Sequence, residues 1–323
     1  MSRFQLSTNT LETRDLAQDN QIVVDRIERY RDRQPASSPD LIVANDGRSS
    51  GTPGLPEISA QDFSCEALRQ ALSEHGSLIV RSLFPDELCE AMIPAIDRTL
   101  DAAEHATRGN PPDANAYYNP PGNLLNIMPN KAKELANTRN FHRDSGSVMA
   151  IESPAIAESL LDLYEAYGLK DILTEYLGEP PCITAKKWVL RRSKLPVAEA
   201  GWHQDGAFMG TDINSVNMWL PLNRCGGTTG APGMDVLPQR LHRLASAEGA
   251  QFDWSVSSNA VSEDYNGNGP LRPEFAAGDA FFFDHFFLHR TQYGLEFDSL
   301  RYAVETWFFG ETAFPKNQIP LSW

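Results

Sequence analysis

The sequence predicts a mainly β protein with flanking α-helices, in which a jelly-roll core (a double-stranded β-helix, cupin-like) is buttressed by N-terminal helices. Two observations lead to this fold class. Strand-like segments separated by glycine and proline follow residue 180, which is the pattern of a β-sandwich or barrel. The part before residue 180 is mainly helical. The composition, 41% hydrophobic and 22% charged, is that of an ordinary globular protein.

Residues 1–60 differ from the rest of the chain and are predicted to form an N-terminal arm or a partly ordered extension. One short amphipathic helix is expected around residues 22–30. Segments rich in turn residues follow at 33–39 and 46–54. The folded domain is therefore expected to occupy residues 61–323.

Helices dominate the first half of the predicted domain. The first of them ends at Gly76, since glycine is the common residue just past a helix end. The segment 107–150 is rich in asparagine and proline and is predicted to be irregular. The predicted elements are a helix over 66–72, a strand over 77–83, a helix from 85 to about 100, and helices over 154–167 and 169–177.

Runs of β-branched and aromatic residues mark the strands of the second half. Such residues fit a pleated, half-buried surface, and glycine and proline stand between the runs. The predicted strands cover 182–190, 216–220, 280–283 and 302–309.

Charge and cysteine content exclude several classes of protein. The chain has 28 Lys and Arg against 43 Asp and Glu, a formal net charge of −15, which argues against a nucleic-acid partner. It has no apolar run near the roughly 20 residues that span a bilayer, and its N-terminus lacks the apolar core of a secretory signal. Its four cysteines form no CxxC pair, which argues against a disulfide framework. We therefore expect a soluble, cytoplasmic protein.

One histidine–carboxylate pair stands out among the seven histidines. His203 and Asp205 lie between two predicted strands, and residues two apart in an extended segment point the same way. With a second histidine from another strand they would form a 2-His-1-carboxylate site, which suits non-haem Fe(II). Either His285 or His289 can complete it, and Arg301 on the next strand can bind a carboxylate through two hydrogen bonds.

This ordered set of motifs resembles the phytanoyl-CoA dioxygenase family of Fe(II)/2-oxoglutarate-dependent dioxygenases. The resemblance spans roughly residues 62–310. Each motif alone is weak, but their order is fairly specific. The motifs are the helix, glycine, strand and new helix of 67–88, the HxD motif at His203 and Asp205, the pair Gly278-Asp279, and then His289 and Arg301.

The resemblance implies a role for each of several residues. It selects His289 over His285, because the ligand in relatives follows the Gly-Asp pair by ten residues, as His289 follows Asp279. Fe(II) would be held by the triad, and O2 would react there. 2-Oxoglutarate would bind to Arg301 with help from Thr291. The strands near the site are expected to add Lys186 as a contact to 2-oxoglutarate, and Trp188 and Trp219 as contacts to substrate.

Two departures from the family pattern are visible. Arg301 follows His289 by twelve residues, one more than in relatives. The segment 236–242 lacks the Pro-Gly-Ser-His turn of relatives, which leaves the role of His242 open.

The function implied by the resemblance is hydroxylation of an unactivated C–H bond of a small metabolite, with release of succinate and CO2. The intact carboxylate of Asp205 favours this outcome over halogenation, since halogenases of the family replace it with a small residue. Two alternatives stay open: a cupin-type metalloenzyme that does not use 2-oxoglutarate, and a non-catalytic jelly-roll binding protein. The segments 107–150 and 240–275 are expected to shape the pocket, and a homo-oligomer is left open.

Overall fold

A computed structural model describes most of the chain. The described residues are 16–33, 35, 42, 54–107, 117–120, 131–199, 201–250, 252–263 and 269–323. The segments 108–116 and 121–130, which belong to the segment predicted as irregular, lie outside them.

The part of the chain before residue 180 is mainly helical, as predicted. Its elements are α1 (Leu16–Glu28), β1 (Glu57–Ser59), α2 (Cys65–His75), β2 (Ser77–Arg81), α3 (Asp86–Thr107), α4 (Ala132–Asp144), β3 (Ser147–Met149), α5 (Pro154–Ala166) and α6 (Leu169–Leu177).

Strands and two short helices make up the remainder. They are β4 (Pro181–Arg192), β5 (Trp202–His203), α7 (Gly206–Met209), β6 (Ser215–Pro221), β7 (Cys225–Gly226), β8 (Met234–Val236), β9 (Ser255–Val256), α8 (Ser258–Glu263), β10 (Glu274–Phe275), β11 (Ala280–Phe283), β12 (His289–Thr291), β13 (Tyr302–Gly310) and β14 (Pro320–Ser322).

Local sequence explains the limits of α2 and β2. The Ser64 side chain accepts a hydrogen bond from the amide of Ala67 at 3.2 Å, which caps the first turn of α2. Gly76 ends the helix in the left-handed region with φ 78°, as the sequence predicts. Strand β2 ends at Arg81, two residues before the predicted end, because Ser82 has a positive φ of 53° and leaves the extended conformation.

The prediction of an irregular segment over 107–150 is wrong for its second half. Residues 132–144 form helix α4, and 147–149 form strand β3. Helix α4 is mostly polar and buries Leu135 and His142, so its sequence shows little of the apolar periodicity by which a helix is recognised. The structure therefore adds a helix against the barrel where the sequence predicts a loop.

The strands form a large sheet and a smaller one, with side chains between them. The large sheet has the order β1-β2-β11-β6-β13-β4-β14, with β3 also paired to β4. The small sheet has the order β8-β12-β5-β9, and β7 and β10 form a further pair. The pairs are antiparallel except β1 with β2. This arrangement confirms the predicted jelly-roll core.

The two faces of the large sheet pack against different parts of the protein. Met218, Val304 and Phe308 face the helices, where the Tyr164 hydroxyl lies 3.0 Å from the Thr306 hydroxyl. The alternate residues, such as Phe283 and Trp307, point into the space between the two sheets. The helices therefore cover one face, and the other face lines the barrel interior.

The first helix packs against the body of the protein. Val23 and Ile27 of α1 are fully buried, and the Arg26 guanidinium makes two 2.9 Å hydrogen bonds to the carboxylate of Glu158 on α5. Helix α1 is thus part of the packed core. The boundary at residue 60 stays a prediction. No helix in the described ranges has the length and apolar character needed to cross a membrane.

Gly278 permits a close approach of two backbones, and we expect its replacement to destabilise the fold. It has φ 77°, and a Cβ there would lie 2.0 Å from the carbonyl oxygen of Phe84. Gly278→Ala is expected to lower the free energy of unfolding by about 3 kcal/mol, because a strained φ and a backbone overlap add together. Urea unfolding followed by circular dichroism measures this.

Gly178 provides the matched control. It has φ 75°, but a Cβ there would meet nothing within 4 Å. Gly178→Ala is expected to cost only about 1 kcal/mol, the strain of a left-handed alanine. Equal losses for the two variants would contradict the role assigned to the Phe84 contact.

Candidate active site

Two strands of the small sheet bring the predicted triad together. His203 on β5 is the direct partner of His289 on β12, and the two ring centroids lie 4.3 Å apart. Asp205 follows β5 by two residues, at the start of α7. One ligand atom from each of these three residues lies within 4.8 Å of the others. The sequence motif therefore becomes a compact cluster of two imidazoles and one carboxylate.

Backbone carbonyls fix the orientation of both imidazoles. Nδ1 of His203 lies 3.2 Å from the carbonyl oxygen of Gly201, and Nδ1 of His289 lies 3.0 Å from that of Phe287. A carbonyl oxygen only accepts, so this network assigns the proton to Nδ1 and leaves Nε2 with a free lone pair. Burial, with the charges of His289 and Lys187, lowers the pKa of His203 well below its ordinary value. The carbonyl contacts prepare both rings to bind a metal through Nε2, and the lowered pKa keeps the His203 imidazole neutral for this role.

Asp205 supplies an oxygen that lacks a hydrogen-bond partner. The residue is buried, and no described residue donates a hydrogen bond to its Oδ1, which lies 3.9 Å from Nε2 of His203. A buried carboxylate oxygen without a partner is costly, and a cation at this point would satisfy it. Two nitrogen donors and one carboxylate suit Fe(II) and leave coordination positions open for other ligands.

Gln204 lies between His203 and Asp205 and connects three segments of the chain through hydrogen bonds. It is 1% exposed. Its amide nitrogen donates to the carbonyl of Phe286 at 2.6 Å and of Arg243 at 3.0 Å, and its amide oxygen accepts from the amide of Ala245 at 2.7 Å. Phe286 precedes His289 by three residues, so this side chain links the two strands that carry the triad.

We expect Gln204→Ala to weaken Fe(II) binding by about tenfold, the lower end of the effect of groups that orient metal ligands. Anaerobic titration of metal-free protein with Fe(II) measures it. Gln70→Ala is the control, since Gln70 is exposed on α2 and bonds only Glu74. Equal iron affinity in the two variants would show that Gln204 does not position the ligands.

Arg301 is a buried cation that forms no ion pair with a carboxylate of the described residues. It is 5% exposed, and the one hydrogen bond from its side chain to a described residue runs from Nη1 to the carbonyl oxygen of Gly233 at 3.3 Å. Its Nε is buried and unpaired within the described residues. Burial lowers the pKa of Arg301 to about 10, which still leaves it charged at neutral pH. An anionic ligand would supply the missing counter-charge.

Thr291 and Trp219 lie near this arginine. Thr291 is paired with Met234, the residue after Gly233. The Trp219 ring centroid is 5.8 Å from the guanidinium carbon of Arg301. The roles of Thr291 as a contact to 2-oxoglutarate and of Trp219 as a contact to substrate stay predictions.

The placement of Lys186 and Trp188 requires a correction. The Lys186 ammonium binds Glu134 and donates to the carbonyl of Asn317 at 2.9 Å. Trp188 is fully buried in the core that the helices form with the large sheet. The described side-chain contacts of both residues thus lie away from the triad. The register of β4 against β13 shifts between Ile183 and Trp188, and such an irregularity breaks the simple alternation of side chains along a strand.

Lys187, the next residue on β4, is the lysine that approaches the triad. Its Nζ lies 3.9 Å from Oδ1 of Asp205 and 3.7 Å from Oε1 of Glu305. The Glu305 carboxylate is held by Arg191. Burial alone would raise the pKa of Glu305, but Arg191 and Lys187 outweigh it and hold the pKa far below its ordinary value. The sequence prediction does not include this cluster. Lys187 and Arg191 are four residues apart, so in a regular strand they would lie on the same side, opposite to Lys186.

Aromatic rings border the triad. The Trp254 ring meets the His203 ring edge-on with centroids 5.7 Å apart, and Phe252 stacks parallel to Trp254 at 5.0 Å. Trp254 and Phe252 belong to the segment 240–275, which the sequence predicts to shape the pocket. His285 has Nδ1 3.0 Å from the Ser215 hydroxyl and Nε2 3.2 Å from the carbonyl of Thr211, so its two nitrogens are occupied.

A jelly roll with such a triad and a buried, unpaired arginine defines a class, the non-haem Fe(II)- and 2-oxoglutarate-dependent dioxygenases, which use O2. The family model described as phytanoyl-CoA dioxygenase matches residues 72–293, more than half of the chain. The protein belongs to this family and is an Fe(II)- and 2-oxoglutarate-dependent oxygenase.

The fold is similar to that of a solved structure. EctD from S. alaskensis with bound Fe matches with 16% identity and a TM-score of 0.50, over 88% of this chain and 86% of that one. SnoN, a non-heme alpha-ketoglutarate-dependent epimerase from nogalamycin biosynthesis, matches with 12% identity and a TM-score of 0.46, over 78% of this chain and 86% of that one. The comparison with curated proteins finds no match.

Proposed function

We propose that this protein is a hydroxylase of a small molecule, in which His203, Asp205 and His289 hold Fe(II) and Arg301 holds 2-oxoglutarate. The proposal rests on one observation: the same barrel contains a cluster of metal-ligand atoms with an unsatisfied carboxylate oxygen and a buried arginine that forms no ion pair with a described residue. In the overall reaction, one oxygen atom of O2 enters a C–H bond of the substrate. The other enters 2-oxoglutarate, which leaves as succinate and CO2.

The residues present fit both groups. The free Nε2 atoms of the two histidines and the unpartnered Oδ1 of Asp205 supply the metal ligands. Arg301 and the Thr291 hydroxyl would bind the carboxylate of 2-oxoglutarate farthest from the metal. Bound Fe(II) supplies the electrons that activate O2. The protein orients the cosubstrate and the substrate and excludes water from the reacting centre.

The carboxylate of Asp205 supports hydroxylation as the outcome. Asp205 would give bound Fe(II) an oxygen ligand at the position that a halogenase leaves free for a halide. The aromatic rings of Phe283 and Phe287, whose centroids lie 4.7 and 6.4 Å from that of His289, make the inner side of the triad apolar. Such surroundings keep water away from a reactive centre.

The test is anaerobic addition of Fe(II) and 2-oxoglutarate to metal-free protein. We expect the weak visible charge-transfer band of the iron chelate, and formation of succinate once O2 is admitted. Zn(II) in place of Fe(II) is the control and gives neither signal. Iron binding without the band would point to the cupin-type alternative, and no iron binding would point to a non-catalytic barrel.

A further inference from the structure

Lys187 presents an ammonium group beside the triad that makes no hydrogen bond to a described residue. Its two carboxylate neighbours, Asp205 and Glu305, lie 3.9 and 3.7 Å from Nζ, beyond hydrogen-bond distance. No described residue accepts a hydrogen bond from this nitrogen, and the Lys187 side chain is 18% exposed. Its three N–H donors are therefore available to a ligand that lies next to the metal ligands.

The charge balance around Lys187 favours an anion. Arg191 already engages the Glu305 carboxylate through two nitrogen atoms. Asp205 is the metal ligand, so its negative charge would be shared with the metal. His142, the further titratable group near Arg191 and Glu305, has its pKa lowered to about 4, mainly by burial, and is neutral. The ammonium of Lys187 and the guanidinium of Arg191 then face a single carboxylate, that of Glu305. This cluster therefore carries one positive charge in excess.

The distal carboxylate of 2-oxoglutarate does not account for this charge. In the proposed function the distal carboxylate of 2-oxoglutarate is bound by Arg301, whose neighbours are Gly233 and Trp219. Lys187 instead lies over the ring of Phe208, with Nζ 4.4 Å from its centroid, next to Asp205. The direct contacts of the two cations thus differ, although both interact electrostatically with Glu305, and we assign a different anion to each.

We propose that the molecule oxidised by this protein carries an anionic group, a carboxylate or a phosphate, that binds to Lys187. Glu305 and Arg191 position the lysine, and the C–H bond to be oxidised lies within a few bonds of the anion because Lys187 is next to the metal ligand Asp205. Phe208 near Lys187 and Trp254 near His203 offer apolar surface to the remainder of the molecule. This inference rests on the proposed function and narrows its substrate class.

The test compares small aromatic probes that differ in the charge and the kind of their polar group, of which phenylacetate and phenylacetamide are nearly isosteric. The anaerobic complex of the protein with Fe(II) and 2-oxoglutarate is titrated with phenylacetate, phenyl phosphate and the neutral phenylacetamide, and the shift of the visible band gives each half-saturation concentration. We expect at least one of the two anions to bind about tenfold or more tightly than the amide. The tighter anion tells a carboxylate from a phosphate substrate.

Lys187→Met is expected to reduce the anion preference to within about twofold, while the apparent affinity for 2-oxoglutarate stays within about twofold of the wild type. Lys187→Arg is expected to keep most of the preference, which separates a charge effect from a folding defect. Lys194→Met is the matched control, because Lys194 is exposed and bonds only the carbonyls of Arg143 and Asp144.

Four results would overturn the inference while the proposed function stands. In the wild type, these are equal binding of the amide and the anions, and the absence of any band shift with the three probes. In Lys187→Met, they are an anion preference that survives, and a fall in the affinity for 2-oxoglutarate. A wild-type protein that forms no chelate would instead overturn the proposed function, and this inference with it.

Discussion

His289→Ala is expected to abolish succinate formation, with a loss of about 10³-fold or more. The substitution removes one of two nitrogen donors, so Fe(II) binding fails before any chemistry can follow. His289 also pairs directly with His203 on the neighbouring strand, so alanine leaves a gap at the centre of the cluster. Equilibrium dialysis of iron and a succinate assay measure the two losses separately.

The control for this variant is His105→Ala. His105 lies exposed on α3, in the last turn of that helix, and its replacement should change neither iron content nor turnover. If His289→Ala kept wild-type iron affinity, His289 would not be a metal ligand, and His285 would become the candidate that the sequence also allowed.

Arg301→Met is expected to weaken 2-oxoglutarate binding by about 100-fold, which corresponds to about 2.7 kcal/mol. The cosubstrate would lose its charged partner in a buried place, where such a hydrogen-bonded ion pair is strong. Methionine retains much of the side-chain volume, so the loss reports charge more than packing. Titration of the chelate band with 2-oxoglutarate measures the affinity.

Two comparisons sharpen the Arg301 result. Arg301→Lys is expected to recover only part of the affinity, because an ammonium cannot form the two parallel bonds of a guanidinium. Arg224→Met should have no effect, since Arg224 is exposed and pairs with Glu274 at the surface. Unchanged 2-oxoglutarate affinity in Arg301→Met would show that the arginine serves another ligand, while iron affinity should be the same in all three variants.

The sequence predicted most helices of the first half and the main strands of the large sheet, because runs of apolar residues and the glycines and prolines between them are local features. Strand β11 has the predicted bounds, and α6 agrees with the prediction over its full length. The strands of the small sheet were not predicted, because two or three residues, as in β5 and β9, are too few to show a period of two. Their pairing depends on contacts across the barrel, and local sequence carries little information about those contacts.

From residue types and spacing alone, the sequence predicted the fold class, the ligand pair His203 and Asp205, and a carboxylate-binding arginine at position 301. An HxD motif in an extended segment can place two ligands on one side, whereas the choice of His289 over His285 came from the resemblance to the family. The tertiary structure decided that Lys187 rather than Lys186 approaches the triad, and that Gln204 joins the segments around it. The physical reason is that alternation along a strand sorts residues onto two faces, but only packing of the helices against one face decides which side is the interior.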